Sequence, residues 1–316
     1  MNLIHKSVLM KEAIEGLNIL PDGVYIDATL GGAGHSLEIL QRLDKSGLLI
    51  GVDQDEFAIR RAESVLAEHS NIVRIVKANF SSVDEVLGAA KCRPCGNRLV
   101  DGVLMDLGVS SFQLDDADRG FSYMHDGRLD MRMNQDNNFS AYDVVNEYSE
   151  ARLKKIFHEY GEEKWSARIA QFIVSQRQIA PIYSSFELVS VIKAAIPKAA
   201  RKDGPHPAKR VFQAIRIEVN DELGILECAI KNYVKALSTG GRICIITFHS
   251  LEDRIVKNTF AKLKSPCDCP REIPICVCKK VPVVDIITKK PIMPTDAELE
   301  SNPRARSAKL RIAQKI

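Results

Sequence analysis

Between Val24 and Leu107, short runs of uninterrupted apolar residues alternate with longer stretches whose apolar positions recur every three or four residues. That rhythm predicts strands over 24–28, 48–52, 72–77 and 100–106, with helices over 35–43, 55–68 and 81–90 between them. Strands that are apolar at nearly every position are buried on both faces, so the expected sheet is parallel and covered by helices on each side. Right-handed crossovers then set the topology, and a ligand belongs at the carboxyl ends of the strands.

After Asp106 the alternation lapses, and the next unmistakable buried strand is Gly241-Arg-Ile-Cys-Ile-Ile-Thr-Phe248. An insertion accounts for the gap. Its first part, Gln113 to Asn138, is rich in Asp, Asn, Arg and Met without periodicity and reads as an ordered loop. Its second part is helical over 151–160, 163–178 and 186–195, punctuated by Pro181, Pro197, Pro205 and Pro207. The expected organisation is an all-α domain at 114–207, set into a parent domain made of 1–113 and 208–316. The parent resumes as one long helix over 211–237 and ends with a helix at 251–263, a Cys/Pro-rich loop and strand-like pieces at 281–287 and 307–313. The fold class is α/β, Rossmann-like, with an inserted helical domain.

Composition narrows the class. At 316 residues, 45% hydrophobic and 27% charged, the chain can bury a full core. No apolar run approaches the roughly 20 residues that span a bilayer, and the first residues lack the layout of a signal peptide, so a cytoplasmic protein without membrane contact is expected. The net charge of +3 is small, but it is unevenly placed. Lys193, Lys198, Arg201, Lys202, Lys209, Arg210 and Arg216 face only Asp203 in their segment, and the tail from Lys279 is also basic. Either run suits phosphate, and either equally suits a solvated surface.

The candidate chemistry starts at Val24-Tyr-Ile-Asp-Ala-Thr-Leu-Gly-Gly-Ala-Gly-His35, a strand that ends in an acid and a glycine-dense turn. Asp53 closes the second strand, where such folds place a carboxylate that accepts bonds from ribose hydroxyls. Leu37 stands where a dinucleotide fingerprint has its third glycine, which disfavours NAD and favours a nucleoside without pyrophosphate, such as S-adenosylmethionine. Phe80 after the third strand and Asp106 at the end of the fourth converge on the same cleft.

Seven blocks then resemble one family: Leu104-Met-Asp-Leu-Gly-Val-Ser-Ser111, Gln113-Leu-Asp-Asp116, Arg119-Gly-Phe-Ser122, Leu129-Asp-Met-Arg-Met133, His206-Pro-Ala-Lys-Arg-Val-Phe-Gln-Ala-Ile-Arg216, Phe248-His-Ser-Leu-Glu-Asp-Arg254 and Asn302-Pro-Arg-Ala-Arg306. Together they are similar to the RsmH (MraW) family of bacterial 16S rRNA cytosine-N4 methyltransferases. The resemblance implies S-adenosyl-L-methionine as cofactor and a P-site cytidine of 16S rRNA in the small ribosomal subunit as substrate, with no role for DNA. It implies that Ala33, Gly34 and His35 hold the methionine part, Asp53 the ribose and Phe80 the adenine side, and that Asp106 and Gln113 complete the pocket. Asp106 is also the candidate catalytic group. Asp130, Arg132, His249, Arg304 and Arg306 are the expected RNA contacts.

The chain departs from many amine methyltransferases in carrying Asp106-Leu-Gly-Val in place of a D/N/S-P-P-Y/F turn, so their catalytic geometry does not carry over. Other readings stay open: His35 as a helix cap, Glu252 and Asp253 as capping and ion-pairing groups, another RNA or protein substrate, or a non-catalytic assembly factor of the same fold. Eight cysteines without a secretory signal are expected to be reduced. Cys267 and Cys269 face Cys276 and Cys278 as two C-x-C pairs, which is not the usual C-x2-C knuckle spacing. A reduced loop is the preferred reading, Cys92 and Cys95 are read as loop thiols, and no metal ligand is assigned.

Overall fold

The computed structural model describes residues 7–90, 100–201, 206–270 and 277–316. Cys92, Cys95 and Cys276 lie outside them. The chain divides into two compact units, Met1–Gly108 with Leu223–Ile316, and Val109–Glu222.

The first unit opens with α1 (Met10–Leu17) and continues through β1 (Val24–Asp27), α2 (Gly34–Leu40), β2 (Leu48–Asp53), α3 (Glu56–Val65), β3 (Val73–Lys77), α4 (Val83–Ala90) and β4 (Val100–Asp106). The expected alternation is therefore present. Side chains of β1, β2 and β4 are buried on both faces, between one apolar layer containing Val86, Ile230 and Val256 and another containing Ile14, Leu17, Ile39 and Ile59. That two-sided burial is why these strands read as continuous apolar runs.

The second unit begins with a short helix, α5 (Ser111–Asp115), and a long loop, then packs α6 (Ala141–Glu147), α7 (Glu150–Glu159), α8 (Ser166–Arg177), α9 (Ser185–Ala195) and α10 (Lys209–Asn220). Leu153, Phe157, Ile169, Ile173, Leu188, Ile192, Val211 and Ile215 share its core. The loop is ordered because it joins that core through Phe121, Leu129, Met131 and Met133. Arg119 stitches it by donating to the carbonyls of Arg132 and Met133 at 2.9 and 3.2 Å. A Cβ at Gly127 would meet the carbonyl oxygen of Ala117 at 1.7 Å, so only glycine permits that turn to close.

The insert is longer than the sequence suggests. The expected single helix over 211–237 is two helices, α10 and α11 (Leu226–Ala236), separated at Asp221, whose φ of 49° is left-handed. Apolar spacing runs through the break and hides it. Consequently α10 belongs to the helical unit, and the boundary expected at residue 208 falls at Glu222.

From α11 the first unit resumes with β5 (Leu237–Thr247), α12 (Ser250–Lys264), β6 (Val284–Ile286), α13 (Asp296–Ser301) and β7 (Lys309–Lys315). The sheet order is β3-β2-β1-β4-β5-β7-β6. The first five strands are parallel, while β7 runs antiparallel to both β5 and β6. Strand order reverses at β1 and β4, so the loops leaving their carboxyl ends flank the crevice where ligands of such sheets bind. No described helix is long and apolar enough to cross a membrane.

Candidate active site

Three carboxylates stand at or near that crevice: Asp27 at the end of β1, Asp53 at the end of β2 and Asp106 at the end of β4. The glycine turn threads between the first two. Gly31 adopts φ 47° and Ala33 φ 63°, left-handed geometry that folds the turn back over the strand ends. In that posture the Gly31 N–H donates to Asp53 Oδ2 at 2.9 Å, and the Asp55 N–H donates to Asp53 Oδ1 at 2.9 Å. The Gln54 N–H adds a third backbone bond, and the carboxylate keeps acceptor capacity toward ribose hydroxyls. Burial pushes Asp53 up to about 6 against those backbone bonds.

Asp27 is almost fully buried and accepts from Ser36 Oγ at 2.6 Å and from the Thr29 N–H at 3.2 Å. Burial raises it to about 7. Thr29 in turn accepts from the Asp106 N–H through Oγ1 at 2.6 Å, which ties the β1 turn to the end of β4. Asp106 is pushed well above the ordinary carboxylate range, first by burial and then by the nearby charges of Asp27 and Glu252. About a quarter of its side chain still reaches solvent, at 24%. Its Oδ1 is buried and has no hydrogen-bond partner among the described residues. An unsatisfied buried oxygen on an acid whose remainder reaches solvent marks a strained corner of the kind found at functional sites.

His35 lies at the start of α2, with Nε2 3.1 Å from the carbonyl oxygen of Val8 and Nδ1 3.7 Å from Asp106 Oδ2. A carbonyl can only accept, so Nε2 carries the hydrogen and, in the neutral ring, Nδ1 presents a lone pair toward the crevice. His35 is therefore not the N-terminal cap of α2. That position is Ala33, which makes no side-chain cap. Phe80 follows β3 half-buried, beside a strand end tied to Asp53 by the Ala78 N–H donating to the Asp53 carbonyl at 3.0 Å. Ala33, Gly34, His35, Asp53, Phe80 and Asp106 thus all belong to strand ends, to the loops that follow them or to the first turn of α2, at the carboxyl end of the sheet. A buried carboxylate for ribose and a left-handed glycine turn fit an adenosine-type cofactor without phosphates.

A family model described as the MraW methylase family matches residues 2–316. The chain belongs to that family. It is 58% identical over 316 residues to the ribosomal RNA small subunit methyltransferase H of Clostridioides difficile strain 630, with 100% of each chain covered. It is 54% identical over 318 residues to the protein of the same name from Ruminiclostridium cellulolyticum, again covering 100% of both. A solved structure of a putative rRNA-methylase from Clostridium thermocellum covers 99% of this chain and 100% of its own, at 12% identity and a TM-score of 0.45. So distant a structure carries no argument about the site.

Within this MraW methylase family chain, the expected RNA contacts separate into two kinds. Asp130 and Arg132 are spent on each other: Arg132 donates to Asp130 Oδ1 and Oδ2 at 2.9 and 2.6 Å, and its remaining bonds go to the carbonyls of Gln135 and Asn137. They brace the long loop. His249 is the N-cap of α12, accepting from the Glu252 N–H through Nδ1 at 3.4 Å, while Glu252 Oε2 accepts from the Phe248 N–H at 2.8 Å. The capping reading of Glu252 therefore describes this corner, and His249 shares in it. Asp253 is an ion-pairing group, bound by Arg311 Nε at 2.6 Å and by Lys309 at 3.4 Å.

Arg304 and Arg306 are exposed on a 3-10 turn (Pro303–Ser307) that precedes β7, which starts at Lys309. Gln113 sits in the helical unit, buried, in a reciprocal cap with Ser110: its Oε1 accepts from the Ser110 N–H at 2.9 Å.

Sequence reasoning missed Asp27 as a site residue, although it noted the acid ending that strand. It also missed a basic cavity of about 210 Å³ in the helical unit, lined by Lys164, Trp165, Arg201, His206 and Arg210 among others. Arg201 Nε is buried there without a hydrogen-bond partner among the described residues. The run of basic residues from Lys193 onward was the legible signal; the contribution of Lys164 and Trp165, from before α8, was not.

Proposed function

We propose that this protein transfers a methyl group from S-adenosyl-L-methionine to the N4 amine of a cytidine in the P-site region of 16S rRNA, acting on the small ribosomal subunit. The observation that carries the chemistry is the Asp106 carboxyl at the end of β4, pushed up by burial, still partly open to solvent, and placed at the strand-order reversal of the sheet. Membership of the MraW methylase family and the shared name of its close relatives support the substrate.

The cofactor supplies an electrophilic methyl on a sulfonium sulfur. Asp53 holds ribose hydroxyls through its remaining acceptor capacity, Ala33, Gly34 and His35 order the amino-acid end, and Phe80 borders the adenine. The cytosine amine is a weak nucleophile because its lone pair is conjugated with the ring. The Asp106 carboxylate, which is partly open to solvent, would accept a hydrogen bond from one amine N–H, which favours pyramidal nitrogen, and would take that proton as the N–C bond forms and the methyl–sulfur bond breaks, the sulfonium leaving as a neutral thioether. A carboxyl pushed up by burial is a better base near neutral pH than an ordinary one, and its field is stronger in a pocket emptied of water. Reach is decisive, since the reacting atoms must be held about 3 to 3.5 Å apart. A target base stacked in folded RNA has to be turned out to enter. Arg304 and Arg306, and the basic cavity of the helical unit, supply phosphate contacts that position the RNA without reading its sequence.

The test is transfer from labelled S-adenosyl-L-methionine to small subunits from cells lacking this enzyme, with the modified nucleoside identified by mass spectrometry. N4-methylcytidine is the expected product. Label on protein, on a ribose oxygen or on a base carbon would overturn the assignment.

A further inference from the structure

Among the described residues between α12 and β6, few apolar contacts hold the chain. Its described residues form no helix or strand, and its apolar side chains turn outward, with Val277 67% and Val281 71% exposed. Ordering a loop costs on the order of 1 kcal/mol or more per residue, and an exposed loop recovers little of that by burial. Yet its ends are zipped. The Val283 N–H donates to the Leu263 carbonyl at 2.9 Å, and Lys264 pairs with Asp285 at 3.2 Å.

Further along, three thiols converge. The Sγ atoms of Cys267, Cys269 and Cys278 all lie within 4.8 Å of one another, and none is in a disulfide. A tetrahedral zinc ion with Zn–S bonds of about 2.3 Å places its thiolates roughly 3.8 Å apart, so side-chain rotations of about 1 Å bring these sulfurs onto one ion. All three are partly or fully accessible, so a metal ion can reach them. Lys280 reaches into the same cluster, pairing with Asp268 at 2.6 Å. Asp268 also accepts a hydrogen bond from Cys278, so the groups around the thiols are already drawn inward.

We propose that Cys267, Cys269 and Cys278 form a structural zinc site that staples the loop between α12 and β6. Three soft thiolates in a reduced protein select zinc over the harder divalent ions. The spacing in sequence, which argued against a knuckle, is immaterial once the fold supplies the convergence. With three protein ligands, the fourth tetrahedral position is left for water. The role of the site is to fix a loop, not to meet substrate.

Untagged protein purified under reducing conditions from zinc-supplemented cells, then desalted, is expected to carry about one zinc per chain by elemental mass spectrometry. The double variant Cys267→Ser/Cys269→Ser should fall to about a tenth of that, whereas Cys92→Ser/Cys95→Ser should keep it. Cobalt substitution should give the intense tetrahedral absorption of a thiolate-rich site in the wild type and lose it in the first variant. Because that variant can suffer in folding, the wild type provides a second measurement: a chelator should strip the zinc and expose Lys279 and Lys280 to trypsin while the rest of the chain stays resistant. A metal-free wild type, equal zinc in the Cys267→Ser/Cys269→Ser variant, unchanged cleavage after chelation, or a disulfide among the three cysteines would each overturn the proposal.

Discussion

Two sets of carboxylates in this molecule are treated in opposite ways. Asp130 and Glu222 of the helical unit face arginines at hydrogen-bonding distance, Asp130 with Arg132 and Glu222 with Arg216 Nε at 2.8 Å. Burial pushes Asp130 up, but the Arg132 bonds outweigh it and hold its carboxyl below the ordinary range. Asp27, Asp53 and Asp106 are also withdrawn from water, yet among the described residues no lysine or arginine lies within ion-pair distance, and all three are pushed up. Pairing makes a brace. Leaving carboxylates buried and uncompensated costs stability, and a fold keeps that cost where a ligand is to supply the missing partner.

The contrast breaks most decisively at Asp106. Asp106→Asn keeps the shape but removes the proton acceptor, so single-turnover methyl transfer to small subunits should slow by about 100-fold or more while cofactor affinity changes little. Near-normal transfer would move the role of base elsewhere. Asp53→Ala should weaken S-adenosyl-L-methionine binding by roughly 30-fold in calorimetric titration, because charge-assisted bonds to ribose hydroxyls go with it. Affinity should also fall as pH drops through about 6, where Asp53 gains its proton.

Breaking a brace should act on stability instead. Asp130→Ala strands the Arg132 guanidinium and is expected to cost about 2 kcal/mol in denaturant titration, with cofactor affinity unaltered. The uncompensated set has its own stability signature. The folded chain keeps the Asp27 proton up to about 7, whereas an ordinary carboxyl gives it up near 3.8. Folded protein therefore binds more protons than unfolded in that window, and stability of the cofactor-free form should decline as pH rises from about 4 to 7. Asp27→Asn should flatten this slope, and an unchanged slope would assign it to other groups. Smallest of all, Arg304→Ala and Arg306→Ala should each lower the salt dependence of RNA binding by about one counterion and leave cofactor binding alone.

What was legible in the sequence follows from physics that leaves a one-dimensional trace. β1, β2 and β4 are buried on both faces, so they read as apolar runs, and the turn from Gly31 to Gly34 needs glycine at specific steps. The break at Asp221 left no trace because a single left-handed residue interrupts the backbone without interrupting the apolar spacing. Asp130, Arg132 and His249 looked like RNA contacts because sequence reports a charge or a ring but not what it touches. Asp27 was hidden for the converse reason, since nothing in its type separates an acid that ends a strand from one that is held protonated there.

The position of β7 has a consequence for how the protein comes into being. Strands β1 to β4 and the whole helical unit are made before β5, whose outer edge is covered by Lys309–Lys315. A growing chain released from the ribosome up to Ser301 thus carries a long, apolar, unpaired edge, the kind of surface that recruits other strands. The sheet cannot seal until the stretch near residue 315 has emerged, so the outer edge of β5 stays open for about sixty residues after β5 itself is made.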